Sequence, residues 1–444
     1  MRILIVSPTI EDVHGRGLNQ IARNLIESVS GLGHEVGLLV GTPHRKHFIK
    51  YQRYDAKIEH LYLQHYLNEG RDSFRYLVKG GYTKFNLAKA ILKRDIHKPR
   101  LIQIEPELLS QKHNLLHDLK FCIISPYYYQ FLVRNYHRQT RNIMRDICKR
   151  FSIDVVLCTS PTIISKNDLP HSTKLVQFVH DFMPIEIVET PPDNDTPLTF
   201  ADQAYTTVFD SDLLLANSED TKKKILESNP HAKVEVLFWA LPQHKVDTTA
   251  STILKTKNLH KGEYLVFTSA LEKRKNLENI MEAYSLVADK INMPLVLVGS
   301  PGYGFDAIIQ RYQALPEHIQ ERILFTGYIS EVDKYALLEN ASALVFPTIA
   351  EGLGIPIIEA MASGTPVVTT KSGAAAEAGS DAALYVNNPY DPSEIADAIL
   401  RVVTDMPLRK HMIQKGKQAA STFTHENFEA RVKQAMHLVT KQEA

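Results

Sequence analysis

A chain of 444 residues is too long for one ordinary core and suits two domains of about 200 residues each. No apolar run approaches the roughly 18 residues of a membrane span, so no helix is expected to cross a bilayer. The formal net charge is +1, but Lys and Arg exceed Asp and Glu by about a dozen between His44 and Arg150, which leaves the rest of the chain acidic.

The opening Met1-Arg2-Ile3-Leu4-Ile5-Val6-Ser7 reads as a first buried strand rather than a signal peptide. Continuously apolar runs follow at Glu35–Val40, Phe121–Ser125, Asp154–Thr159, Lys174–His180, Asp212–Asn217 and Val234–Phe238. Such runs read as strands buried on both faces. Helical patterns between them imply right-handed crossovers and a parallel sheet. The loop His14-Gly15-Arg16-Gly17 follows the first strand and opens a helix, where glycine lets backbone approach a ligand. His180-Asp181 ends another strand. The stretch from about 44 to 150 is less regular and reads as a mostly helical insertion. Its Arg134, Arg138, Arg141 and Arg145 share one side of a helix, near Tyr127, Tyr128, Tyr129 and Tyr136. A basic helix with aromatics could rest on anionic lipid; a solvated basic face is the plainer alternative.

The pattern restarts at Tyr264, after a polar stretch from about Gln243 to Gly262. We therefore expect a first domain over 1–245 and a second over 246–423. A terminal helix over 424–444 would pack back on the first. The second set of strands is Tyr264–Thr268, Pro294–Gly299, Ile323–Gly327, Ala343–Pro347, Pro366–Thr370 and Ala383–Val386. In open parallel sheets, ligands bind outside the carboxyl ends of the strands. After the first of these come Arg274, Lys275 and Asn276; Asn276 is a plausible N-cap for the helix that follows. Two cations there could neutralise a departing diphosphate. Gly327 and Tyr328 end another strand.

The most informative segment is Phe346-Pro347-Thr348-Ile349-Ala350-Glu351-Gly352-Leu353-Gly354-Ile355-Pro356-Ile357-Ile358-Glu359. A strand ends, a glycine-bearing loop follows, and Pro356 fits the first turn of a helix. The free amides and dipole of that helix start suit a diphosphate. Glu359 lies among apolar residues and needs a partner if buried. Ribose hydroxyls would serve, as would an internal salt bridge.

This segment resembles the Glu-x7-Glu motif of retaining glycosyltransferase family 4, which has the GT-B fold. Pro366-Val367-Val368, Gly373 to Glu377 and Gly379 to Leu384 carry the likeness through the second domain. Leu353 stands where Phe is more usual. The resemblance implies an α/β, GT-B protein: two Rossmann-like parallel-sheet domains facing across a cleft. It implies that Glu351 lies near the donor sugar and that Glu359 binds the nucleotide ribose. Arg274 and Lys275 would face the diphosphate, and His180 the sugar or acceptor. Gly352, Leu353, Gly354, Ile355, Gly15, Gly17, Gly327 and Tyr328 would line the donor site.

The implied reaction is retaining transfer of mannose or a related hexose from a GDP- or UDP-sugar. The implied acceptor is a glycan or lipid-linked glycan, in cell-surface polysaccharide synthesis. No cofactor or metal is expected, since no His, Cys or Asp cluster has ligand spacing. The odd number of cysteines (Cys122, Cys148 and Cys158) argues against a disulfide scaffold and for a reducing compartment. The expected location is cytoplasmic, with peripheral contact at the inner membrane face through the basic helix. A glycoside hydrolase using Glu351 and Glu359 as its carboxylate pair, or a non-catalytic basic surface-binding protein, are the alternatives. Nucleic acid is not an expected partner, because the second domain is acidic.

Overall fold

The computed structural model describes residues 1–7, 17–41, 100–103, 119–125, 137–182, 200–242 and 246–440. In chain order the strands of the first half are β1 (Arg2–Val6), β2 (Glu35–Gly41), β3 (Arg100–Gln103), β4 (Phe121–Ser125), β5 (Val155–Cys158), β6 (Lys174–Val179), β7 (Leu213–Ala216) and β8 (Val234–Val236). They form one sheet in the order β3-β4-β2-β1-β5-β6-β7-β8. All neighbours are parallel except β3 and β4. Helices α1 (Gly17–Gly31), α2 (His137–Arg150), α3 (Phe200–Thr207) and α4 (Glu219–Ser228) accompany it.

The second half holds α5 (Ile253–Thr256), β9 (Leu265–Thr268), α6 (Leu277–Ile291), β10 (Leu295–Val298), α7 (Phe305–Gln313), α8 (Glu317–Gln320), β11 (Ile323–Gly327), α9 (Glu331–Asn340) and β12 (Ala343–Phe346). It continues through α10 (Ile355–Ala362), β13 (Val367–Thr370), α11 (Gly373–Gly379), β14 (Leu384–Val386), α12 (Pro392–Thr404) and α13 (Met406–Ala420). Its sheet order is β11-β10-β9-β12-β13-β14, all parallel. The chain has the GT-B fold.

Physical causes are visible element by element. Every residue of β5, β7, β9, β10, β12 and β13 is buried, as strands covered on both faces require. Helix α6 buries Leu277, Ile280, Met281, Tyr284, Val287, Ala288 and Ile291, the three-and-four spacing of a helix with one core face. Within 44–150 the described residues hold β4, a strand expected from its apolar run, the unexpected strand β3 paired antiparallel with it, and the helix α2. Residues 44–99, 104–118 and 126–136 lie outside the described residues, and with them Arg134 and the four tyrosines.

A final helix, α14 (His425–Thr440), returns to the first half. It packs on α1 and β7 through buried Phe428, Val432 and Met436. Arg431 Nη1 donates to the Val236 carbonyl at 3.0 Å, and its guanidinium lies 4.4 Å from the Phe238 ring centre. The two passages of chain between the halves touch each other: the Leu241 amide donates to the Phe423 carbonyl at 2.8 Å, and the rings of Phe238 and Phe423 meet edge-on at 5.7 Å.

Candidate active site

Strand order assembles the site. In the second sheet the chain steps outward from β9 to β10 and β11, then crosses to the other side of β9 as β12. Such a reversal opens a crevice at the carboxyl ends of the two strands beside it. The loop leaving β9 carries Arg274 and Lys275, and the loop leaving β12 carries Glu351. Residues 76 positions apart therefore meet, with Lys275 Nζ bonded to Glu351 Oε1.

The surroundings of this pair are closed. Lys275 is 3% exposed, and its Nζ lies 5.2 Å from the Phe346 ring centre. Burial lowers the Lys275 pKa, and the Glu351 carboxylate opposes that shift. Thr348 Oγ1 donates to Glu351 Oε1 at 3.3 Å, and Arg274 Nη1 stands 3.9 Å from the same oxygen. Arg274 Nε is bonded to Glu272 Oε2 at 2.8 Å. The cations expected to face a diphosphate are thus held by carboxylates in this state.

Asn276 does not cap α6 with its side chain. It adopts left-handed backbone angles, φ 66° and ψ 28°, which asparagine tolerates better than most residues. Its Nδ2 donates to the carbonyls of Pro347 (2.9 Å) and Pro389 (2.6 Å). The side chain therefore buckles the Lys275 turn to the Glu351 loop, a different task from the expected cap.

Past Glu351 the chain turns at Gly354, where φ is +82°, a region open to glycine at no steric cost. Pro356 then sits in the first turn of α10. Among the described residues, the amides of 352, 353, 354 and 355 donate to no protein group. Together with the helix start they offer a ready anion cradle. Leu353 is buried beneath it.

Glu359, one turn deeper, is 5% exposed. Its Oε1 accepts from Lys334 Nζ at 2.7 Å and from Tyr335 Oη at 3.3 Å. The internal salt bridge considered from the sequence is thus formed, and it occupies one of the two carboxylate oxygens. Burial raises the Glu359 pKa and Lys334 pulls it back. Lys334 is the mirror case: burial lowers its pKa, but the carboxylates of Glu359 and Glu331 outweigh burial and leave it raised. Gly327, with φ +70°, and the 63% exposed Tyr328 leave β11 at the same end of the sheet.

The first half supplies the opposite wall. Its own reversal lies between β1 and β5, where Thr159 Oγ1 donates to Ser7 Oγ at 2.7 Å. His180, following β6, is 6% exposed and stacks on Phe178 at 4.5 Å. Its Nε2 lies 2.7 Å from the Thr159 carbonyl. A carbonyl only accepts, so Nε2 carries the proton. Nδ1 is then a bare lone pair, buried without a partner. Burial pushes the His180 pKa down to about 4, so the ring is neutral near pH 7. Gly17 opens α1, while Gly15 lies outside the described residues.

The halves meet at Gly352. A Cβ there would fall 2.7 Å from the His180 carbonyl oxygen, 3.0 Å from Asp181 Oδ2 and 3.2 Å from Asn217 Nδ2. Nearby, the Glu377 carboxylate of α11 accepts the amides of Glu219 (2.9 Å) and Asp220 (3.2 Å) at the start of α4. Burial raises the Glu377 pKa, and the two amides oppose it.

Residues 251–419 match the family described as glycosyl transferases group 1. The match spans most of the second half of the chain. The chain is similar to the O-antigen chain mannosyltransferase B of Escherichia coli, 28% identical over 232 residues, covering 48% of this chain and 60% of that protein. It also resembles the O-antigen chain mannosyltransferase RfbU of Salmonella typhimurium, 26% identical over 233 residues, covering 52% of this chain and 65% of that protein. Each match spans less than two thirds of the relative's length. Among solved structures, the sucrose-phosphate synthase of Thermosynechococcus elongatus superposes with a TM-score of 0.62 at 14% identity, over 98% of both chains. Anabaena HepE in complex with UDP and glucose does so at 0.61 and 15%, over 98% of this chain and 99% of that one. At such identity these likenesses establish the fold and no more.

Among the described residues no three His, Cys, Asp or Glu side chains gather to hold a metal, and no helix is long and apolar enough to cross a membrane. Cys148 and Cys158 are free and buried, with thiols pushed up to about 12 by burial. Of the basic face on α2, Arg145 is partly spent on the protein itself, Nη2 donating to the Asn167 carbonyl at 2.8 Å. Sequence reasoning missed Thr348, Lys334, Tyr335 and the bridging role of Glu377. None carries a local signal, because each acts on a residue placed beside it by the fold.

Proposed function

We propose that this chain transfers a hexosyl group, with retention at the anomeric carbon, from a nucleotide sugar to a glycan or lipid-linked glycan in surface polysaccharide synthesis. The observation that carries the reading is the buried Lys275–Glu351 pair, with Arg274 beside it and the undonated amides of 352–355 next along the loop. A diphosphate entering there would draw on both cations and the amide cradle. The sugar C1–O bond breaks with its electron pair going to the diphosphate. The acceptor oxygen attacks from the face the diphosphate leaves, and its proton passes to the departing phosphate oxygen. Mannose is favoured as the sugar because two of the relatives are named mannosyltransferases, which leans the donor toward GDP-mannose over UDP-sugars.

The mechanism needs no divalent ion, because cations and amides offset the developing charge. A hydrolase reading finds no support: Glu351 is bonded to Lys275 and Glu359 to Lys334, so neither is a free acid or base in this state. Calorimetric titration with GDP, UDP and ADP tests the donor site. Tight binding of one base, with or without chelator, is the expected result, and binding of none overturns the reading. The anomeric configuration of the product, read by NMR, decides retention. A peripheral membrane role for α2 is tested by sedimentation with anionic liposomes, comparing wild type with a triple Arg138→Glu, Arg141→Glu, Arg145→Glu variant.

A further inference from the structure

The Glu-x7-Glu segment brings two carboxylates to the site, and each has its own lysine. Lys275 belongs to the loop facing Glu351. The other lysine, Lys334, belongs to α9 and faces Glu359 from outside the motif. Its Nζ is held at 2.7 Å by Glu359 Oε1 and at 3.1 Å by Glu331 Oε1. It also lies 4.9 Å from the Tyr335 ring centre. The Tyr335 hydroxyl donates to Glu359 Oε1 as well. Both hydrogen bonds therefore fall on one oxygen. Among the described residues the other, Oε2, accepts none.

A buried carboxylate without a cation tends to take up a proton, and burial does push Glu359 in that direction. A neutral carboxylic acid is a poor acceptor for a ribose hydroxyl, whereas a carboxylate makes the stronger, charge-assisted bond. Two donors on Oε1 also fix the rotation of the carboxyl group, so Oε2 has one direction in which to point.

We propose that Lys334 is a positioning residue for the nucleotide: its ion pair with Glu359 pins Oε1, so that Oε2 is the oxygen presented to the ribose hydroxyls. This rests on the nucleotide-sugar reading above and deepens it. Lys334 touches Glu359 rather than the reacting atoms, so its effect falls on donor affinity and ribose selectivity.

The test is calorimetric binding of GDP or UDP, whichever the wild type takes, against its 2′,3′-dideoxy form. Wild type, Lys334→Met, Lys334→Gln, Lys334→Arg and Glu359→Gln are compared, with thermal unfolding to confirm that each is folded. The glutamine variant keeps a hydrogen-bond donor without the charge, so it stands in if the methionine variant does not fold. The expected result is a loss of about tenfold or more in affinity for the ribonucleotide in the Met and Gln variants. The preference for ribose over dideoxyribose should collapse as it does in Glu359→Gln, and Lys334→Arg should restore both. A Met or Gln variant that keeps wild-type ribose preference overturns the proposal, whether or not its overall affinity falls. If the wild type prefers ribose but Glu359→Gln does so equally, the ribose contact of Glu359 is wrong and the proposal fails with it. If the wild type binds no nucleotide, the functional reading itself fails.

Discussion

Lys275 and Glu351 meet end to end inside the protein, each nearly closed off from water, at the point where the second sheet reverses direction. Removing one member leaves an uncompensated charge, which costs about 3–5 kcal/mol at buried sites. Lys275→Met and Glu351→Leu should each lower stability by an amount of that order and abolish transfer. The double variant should recover most of the stability, because two apolar side chains replace the pair, yet remain inactive. Urea unfolding alongside a transfer assay checks this. A double variant as unstable as either single one would show that the pair is not mutually compensating.

His180 gives a pH prediction whose sign follows from its burial. Its folded pKa of about 4 lies below the unfolded value of about 6.5. Between those limits the unfolded chain binds the extra proton, so this residue lowers stability as the pH falls from about 6.5 toward 4 and has no effect above that window. The deficit reaches about 3 kcal/mol at the acid end. His180→Asn should flatten this part of the stability profile relative to wild type. Equal slopes for the two proteins between pH 6.5 and 4 would contradict the assignment.

Gly352 has no room for a side chain toward the first domain. A Cβ would press on the His180 carbonyl, which is backbone and cannot swing away. Gly352→Ala should therefore separate the walls of the cleft. We expect transfer to fall by more than tenfold while nucleotide affinity, which depends on the second domain, changes by less than about threefold. Steady-state kinetics and calorimetry on the same variant separate the two effects.

Glu377 caps a helix that belongs to the other domain. Replacing such a cap by alanine costs about 1 kcal/mol, and here the loss would also free one domain from the other. Glu377→Ala should lower the thermal midpoint slightly and increase the radius of gyration measured by small-angle scattering without nucleotide. Unchanged scattering would mean that the contact at Gly352 and the α14 return suffice to hold the halves.

Much of the fold was legible because buried parallel strands are written as continuous apolar runs, as in Leu-Val-Phe-Thr of β9 and Ala-Leu-Val-Phe of β12. Strand β3, Arg-Leu-Ile-Gln, was not, since a four-residue edge strand with polar ends has no such signature. Individual site residues could be placed at strand ends, but not paired. That Lys275 meets Glu351 follows from β12 lying against β9, and strand order is not encoded in periodicity. Likewise nothing local to Lys334 marks it as the partner of a glutamate 25 positions on. Asn276 looked like a helix cap by residue type, and only its left-handed backbone and its two bonds to proline carbonyls reveal a clasp between loops.

The adjoining passages at Leu241 and Phe423 limit how the protein can move. Two separate tethers on opposite flanks would lock the halves, and a single tether would let them tumble. Two tethers bonded side by side act as the spine of a book: the covers can swing about one line but cannot slide or twist freely. Because α14 is seated on the first domain, the second domain hangs from that spine at both of its ends. Any opening that admits a donor must then be a rotation about the Leu241–Phe423 contact, with the greatest travel at the edge farthest from it.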